Sequence, residues 1–159
     1  VFAADSYNWE LMKLIEAGSR DGVCRPVFDL VFVDGAHSWA VDGLAFFLAD
    51  KLLKPGGWVL FDDMFWTHEQ MQAENPGLVA AMPAEERTTP QVRKVFDLLV
   101  ARHSDYTDCQ VRDEGGGARK KEDAAAGPPV DLVADVYSRQ SIRADIVSII
   151  KKLKRRLHL

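Results

Sequence analysis

Three carboxylates and an imidazole are the residues of this 159-residue sequence best suited to chemistry. Asp34 ends the apolar run Phe28-Asp-Leu-Val-Phe-Val33, Asp62 and Asp63 follow Trp58-Val-Leu-Phe61, and His37 lies three residues after Asp34 in Val-Asp-Gly-Ala-His-Ser-Trp. Carboxylates gathered in a small volume repel unless a cation sits among them. Hard oxygen donors with room left for water suit Mg²⁺, Mn²⁺ or Ca²⁺ better than zinc, which usually recruits histidine or cysteine as well. On this reading Asp34, Asp62 and Asp63 are the metal ligands. On the alternative, one or two of these acids cap helices or accept backbone N–H bonds in loops. An imidazole, with an ordinary pKa of about 6.5, can take a proton from a substrate hydroxyl near neutral pH, and an adjacent cation acidifies that hydroxyl further. His37 therefore reads either as a general base or as a helix-start residue bonded to backbone. His68, His103 and His158 lack a comparable setting and read as surface or loop residues.

These side chains must be carried by something. Residues 28–33 and 58–61 are short, nearly continuous apolar runs bounded by turn residues, the pattern of strands buried on both faces. Between them Val41, Leu44, Ala45, Leu48 and Leu52 recur at helical spacing, and Lys54-Pro55-Gly56-Gly57 should stop that helix. A strand–helix–strand unit makes parallel strands, so Asp34 and Asp62-Asp63 should emerge on the same sheet edge. Ligands of open α/β sheets bind beyond the carboxyl ends of the strands, which is where these acids fall.

The flanks continue the α/β pattern. Residues 1–4 read as the end of a preceding strand, and Leu11, Leu14 and Ile15 suggest a helix over 7–17 closed by Gly18. Residues 67–89 are loop-rich, with the irregular stretch from 64 onward a candidate lid, and Thr89-Pro90 should cap a helix with Val92, Val95, Phe96, Leu99 and Val100 on its apolar face. A strand over 106–111, a turn over Glu114 to Gly117 and a short return strand over 118–121 follow. Residues 122–137 have the character of a linker, and 138–159 read as a basic amphipathic helix. That helix could dock on its own domain, on a second subunit or on an anionic membrane surface.

Composition sets wider bounds. With 47% hydrophobic and 28% charged residues the sequence suits one globular domain with a real core. It has neither an apolar run of the roughly 20 residues that a spanning helix needs nor a signal-peptide pattern, so a cytoplasmic protein is expected. Cys24 and Cys109 show no knuckle or redox spacing and read as free thiols. Formal charge is −4, yet residues 139–159 carry seven Lys or Arg against one Asp, so the body is strongly acidic and nucleic acid is not expected as the main partner. The opening Val-Phe-Ala-Ala-Asp reads as the inside of a strand, which suggests a fragment of a longer protein.

Phe-Asp-Leu-Val-Phe-Val-Asp-Gly-Ala-His-Ser-Trp and Leu-Leu-Lys-Pro-Gly-Gly-Trp-Val-Leu-Phe-Asp-Asp together resemble the fourth and fifth strands of class I S-adenosylmethionine-dependent methyltransferases. Asp-Gly-x-His followed by Phe-Asp-Asp is similar to the metal-dependent subgroup related to macrolide-sugar, caffeoyl-CoA and catechol O-methyltransferases. The resemblance covers residues 1–121 and is specific over 28–63. It implies a partial Rossmann-like, doubly wound α/β sheet, S-adenosylmethionine (SAM) and a divalent cation, Mg²⁺ foremost, as cofactors, and methyl transfer to a small-molecule hydroxyl. By position Asp34 matches the first metal-ligand aspartate and borders the cofactor, and Asp62 and Asp63 match the pair after strand five. His37 stands where catechol-type enzymes place a catalytic lysine, which implies the general-base role. Asp5 and Ser6 stand where the loop after strand three meets the adenine, with Trp9 nearby.

The departures are at the N-terminus. The family's first strand, its glycine-rich loop and the ribose-binding acid after strand two have no counterpart, and Gly115-Gly116-Gly117 come too late in the chain to replace them. Two other readings compete: a non-catalytic metal-binding or interaction module, and a different metal-dependent reaction on the same scaffold. Met64, Phe65 and Trp66 either wall the acceptor site or belong to the core. A sheet lacking its central strands would also leave an unpaired edge, which favours homo-oligomers.

Overall fold

The computed structural model describes residues 6–124. The strand expected over 1–4, Asp5, His158, the basic helix expected over 138–159 and all but the first three residues of the expected linker lie outside the described residues. Helix α1 (Tyr7–Gly18) leads into a two-residue ribbon, β1 (Ser19–Arg20) and β2 (Val23–Cys24), which turns at Asp21 and Gly22, both at positive φ. Strand β3 (Phe28–Val33), helix α2 (Trp39–Leu52) and strand β4 (Leu53–Phe61) form the expected strand–helix–strand unit. β3 and β4 pair in parallel, with Val33 opposite Phe61, so both strands deliver their following residues to one edge.

Residues 67–89, expected as loop, fold instead into a 3₁₀ turn at His68–Met71 and the short helices α3 (Pro76–Ala81) and α4 (Ala84–Thr88). Helix α5 (Gln91–Val95) then runs directly into a π-helical turn over Phe96–Val100. Thr89 does not cap α5. Its hydroxyl donates to Glu85 O at 2.6 Å and ends α4, while Pro90 takes the N-cap position.

Strands β5 (Tyr106–Arg112) and β6 (Gly115–Lys120) complete a four-stranded mixed sheet in the order β3-β4-β6-β5, in which β6 is antiparallel to both neighbours. The turn between them is at Asp113 and Glu114, with Asp113 at φ 50, so the three glycines expected in the turn lie in β6. Packing explains why: a Cβ on Gly116 would stand 2.8 Å from Met64 Cε and 3.2 Å from Phe96 Cδ2.

Two further expectations need correction. Lys54-Pro55-Gly56-Gly57 is not the stop of α2, which already ends at Leu52, but an irregular stretch of β4. Gly56 has φ +78, the register shifts between Phe28 and Leu30, and a Cβ on Gly57 would meet both Asp29 O and Lys54 O at 2.9 Å. The buried stripe of α2 is Asp42, Gly43, Ala45, Phe46, Ala49 and Leu52, with Leu44 half exposed. Small residues occupy that stripe because neighbours approach closely; Leu99 Cδ1 lies 3.3 Å from where a Cβ on Gly43 would be.

Strands were expected to be buried on both faces, but only one face of β3 is. Val33 and the partly buried Val31 pack on the core, while the alternate residues Leu30 and Phe32 are 55% and 57% exposed. The core gathers around Phe46, whose ring lies 5.5 Å from Tyr106 and 6.5 Å from Phe61. Cys24 and Cys109 are free. Among the described residues no helix is long and apolar enough to cross a membrane.

A polar knot ties α2 to the hairpin: Lys120 Nζ donates to Asp50 O at 2.6 Å and pairs with Asp50 Oδ1 at 3.0 Å, while Tyr106 Oη donates to Asp50 Oδ1 at 2.9 Å. Burial first, then the Asp50 carboxylate, pushes the Tyr106 phenol well above its ordinary value of 10.0. The fold therefore favours the neutral phenol, a contribution fully present below pH 10 and lost as pH rises through the raised folded value. In an absorbance titration at 295 nm, Tyr106 should stay neutral after an exposed tyrosine has ionised and titrate only with alkaline unfolding. Tyr106→Phe should remove one phenol from that delayed step and leave Tyr7, whose phenol burial also raises. Complete ionisation near pH 10 with unchanged circular dichroism would refute this.

Candidate active site

The parallel register sets the site. Beyond the last paired residues, Asp62 N–H donates to Val33 O at 3.1 Å, which holds the segment after β4 against the segment after β3. Asp34, His37 and Asp63 then converge, each offering one donor atom, with all three atoms within 4.8 Å of one another. His37 Nε2 stands 2.9 Å from Asp63 Oδ2 and 3.6 Å from Asp34 Oδ1. The imidazole is the most buried of the three, at 20% side-chain exposure against 40% for Asp63 and 53% for Asp34.

His37 and Asp63 have φ of 52° and 53°, in the left-handed region that non-glycine residues rarely occupy. Such backbone persists where its surroundings over-determine it, and it concentrates at functional sites. At Asp63 the local support is Asp62, whose Oδ1 accepts the Asp63 N–H at 2.9 Å. Asp62 is thus outside the three-donor cluster. Its side chain lines a separate cavity of about 330 Å³ with Phe32, Trp58, Gln110 and Arg112.

The donor set fits a divalent cation. Nε2 of His37 is buried and makes no aligned hydrogen bond, although a carboxylate oxygen is 2.9 Å away. An imidazole lone pair and a carboxylate at that distance repel unless a proton or a cation lies between them. The two carboxylates, open on one side to water, suit Mg²⁺ or Mn²⁺, and the imidazole between them is free to take a proton.

Around the cluster the aromatic residues divide. Trp66 lies against His37 with ring centroids 4.7 Å apart and so walls the site, whereas Met64 is wholly buried in the core. Phe65 is half exposed under the Arg93 guanidinium, 5.6 Å from the ring centre. His68 was expected at the surface but is buried. A capping box between Thr67 and Gln70 starts the turn that carries it inward, and its ring edges onto Trp66 at 5.0 Å. His103 is partly buried and accepts the Asp105 N–H at Nδ1.

Ser6 occupies the N-cap position of α1 without capping it, and Trp9 is 62% exposed. A cavity of about 310 Å³ lies between α1 and β3, lined by Tyr7, Leu11, Leu14, Val31, Asp34 and Gly35, so it opens next to the cluster. A larger cleft of about 500 Å³, with Trp39, Pro83, Gln91 and Lys94 in its walls, includes none of the three donors.

Sequence reasoning missed Asp42 and Gln91. Gln91 Oε1 accepts the Trp39 N–H at 2.6 Å and its Nε2 donates to Glu86 O at 2.9 Å, bracing the start of α2. Asp42 is fully buried and accepts from Ser38 N–H, Ala36 N–H and Tyr7 Oη. An acid in the first turn of a helix whose next seven residues carry no polar side chain was the available signal.

No family model matches the chain, and no curated protein matches it. Among solved structures it is similar to methyltransferases. MycE methyltransferase from the mycinamycin biosynthetic pathway, in complex with Mg and SAH, aligns at a TM-score of 0.45 and 15% identity over 80% of this chain and 33% of its own. O-methyltransferase TomG from Streptomyces achromogenes, involved in tomaymycin synthesis and in complex with SAM, aligns at 0.41 and 23% identity over 69% of this chain and 46% of its own. The chain thus spans less than half the length of either structure.

The geometry makes a prediction about ligands. Asp34→Ala or Asp63→Ala should weaken Mn²⁺ binding at least about tenfold, comparable to the loss of a supporting residue at known metal sites. Asp62→Asn, which keeps an acceptor for the Asp63 N–H, should weaken it far less. Calorimetric titration of Mn²⁺ checks this, and equal losses for Asp62 and Asp63 would place Asp62 among the ligands.

Proposed function

We propose that the chain is the metal- and acceptor-binding part of a SAM-dependent O-methyltransferase acting on a small-molecule hydroxyl. The observation that carries the reading is the convergence of Asp34, His37 and Asp63 beyond the carboxyl ends of two adjacent parallel strands. The Asp-Gly-x-His and Phe-Asp-Asp motifs that supply these residues are those of the resembled family.

Bound SAM supplies a methyl group already activated on a sulfonium, and a bound divalent cation supplies positive charge that orients the acceptor hydroxyl and lowers its pKa. Asp34 and Asp63 would hold the cation. His37 takes the hydroxyl proton at Nε2, and the imidazolium so formed is stabilised by Asp63 Oδ2 at 2.9 Å and Asp34 Oδ1 at 3.6 Å. Trp66 covers one side of the imidazole. Asp34 also borders the cavity beside α1, where Tyr7, Leu11 and Leu14 offer an apolar wall to the cofactor. Positioning does most of the work, because the donor needs no further activation.

The test is transfer of a labelled methyl group from SAM to catechol and to a deoxysugar in Mg²⁺ or Mn²⁺. It is run on this chain and on a form extended upstream of Val1, because the glycine-rich loop has no counterpart in these residues. His37→Ala should lower kcat by roughly 10²-fold or more, the usual worth of a positioned base, and leave SAM affinity unchanged. If neither form binds SAM, and metal binding survives, the chain is a metal-binding module rather than part of a methyltransferase.

A further inference from the structure

Asp42 is the most completely buried acid among the described residues, with none of its surface exposed. Its Oδ2 accepts the Ser38 N–H at 2.8 Å, and its Oδ1 accepts the Ala36 N–H at 3.3 Å and the Tyr7 hydroxyl. The two amides flank His37, whose backbone at φ 52° needs external support. Gly35 closes the arrangement: a Cβ there would run into Asp42 Oδ1 and Tyr7 Oη and stand 2.9 Å from Tyr7 Cζ. Tyr7 comes from α1, so the clamp joins a separate helix to the loop. Burial, with the hydrogen bond to Asp42 next, pushes the Tyr7 phenol well above its ordinary value, so it remains a donor through the neutral range.

We propose that Asp42 and Tyr7 are positioning residues: Asp42 grips the loop on both sides of His37 so that the imidazole and the Asp34 carboxylate face Asp63, and Tyr7 fixes the orientation of Asp42. The inference rests on the reading of Asp34, His37 and Asp63 as a cation and proton-transfer site. Neither residue belongs to the three-donor cluster, and both act on it through the loop, although the Tyr7 ring also lines the cavity beside α1.

Tyr7→Phe is the leading variant, because it keeps the ring and removes only the hydroxyl, and Asp42→Asn is the second. Three quantities are measured on the full chain: the thermal midpoint, Mn²⁺ affinity by calorimetry, and the His37 imidazole ¹⁵N signals with the exchange rates of the Ala36 and Ser38 amides. Tyr7→Phe should keep the thermal midpoint within a few degrees while Mn²⁺ binding weakens about tenfold, the scale of supporting residues at metal sites. The Ala36 amide should exchange faster and the His37 signals should shift.

A merely structural role would move the midpoint and leave the affinity of the folded protein and its His37 signals unchanged. That result in Tyr7→Phe overturns the part of Tyr7, and in both variants overturns the clamp. If the unsubstituted chain binds no Mn²⁺, the cation reading of the site falls, and the His37 signals alone then decide the clamp: shifted in Tyr7→Phe they uphold it, unshifted they overturn it.

Discussion

The hydrogen bond from Asp62 N–H to Val33 O adds a rung to the parallel ladder just past the last paired residues, Val33 and Phe61. It is the constraint on which the site depends. In a strand the side chains alternate, so a slip of β3 by one residue against β4 would turn Val33 out of the core and carry Asp34 with it. The buried Val33, Val59 and Phe61 against Phe46 make that slip costly, and hydrophobic packing thereby fixes the positions of groups it never touches. Register, more than any property of the acids themselves, brings Asp34 within reach of Asp63.

Past the ladder the backbone must do what strand geometry does not. His37 and Asp63 both take left-handed conformations, each costing on the order of 1 kcal/mol or more. A neighbouring carboxylate answers each: Asp42 through the amides beside His37, and Asp62 through the amide of Asp63. The chain thus uses four aspartates and one histidine in two tiers, of which Asp34, His37 and Asp63 face one another and Asp42 and Asp62 hold backbone. At His37 and Asp63 left-handed backbone coincides with the convergence of donors, whereas Asp21, Asp108 and Asp113 take the same conformation outside the cluster.

What could be read from the sequence follows from the same physics. The strand–helix–strand unit was legible because apolar runs bounded by turn residues specify buried strands, and parallel pairing then places Asp34 and the Asp62-Asp63 pair on one edge. Which of the adjacent aspartates joins the cluster was not legible, because the answer depends on a left-handed φ at Asp63. The buried face of α2 was misjudged because Trp39-Ala-Val-Asp-Gly-Leu-Ala-Phe-Phe-Leu is apolar nearly all round, and close approach by Leu99 selected the side with Gly43 and Ala45. His68 looked like a loop residue because its burial follows from a capping box and from contact with the Trp66 indole rather than from any periodic pattern. The exposed Leu30 and Phe32 differ again: periodicity reports that a strand is apolar, not whether both of its faces are covered.

The π-helical turn at Phe96–Val100 has a consequence for how this region tolerates change in length. Its closing bond runs from Ala101 N–H to Phe96 O at 2.8 Å, five residues back, and this wider turn lets Val95, Phe96 and Val100 all reach the core while Leu98 stays half exposed. Loss of one residue here would restore an ordinary helical turn and rotate every later position by about 100°. Val100 would leave the core, and the path to Tyr106, whose hydroxyl ties β5 to α2, would shorten with it. Leu98 can therefore be exchanged for many side chains, whereas the number of residues in the turn cannot change. Deletions and insertions belong in the exposed segment Gln72–Asn75, ahead of α3, where no core side chain depends on the count.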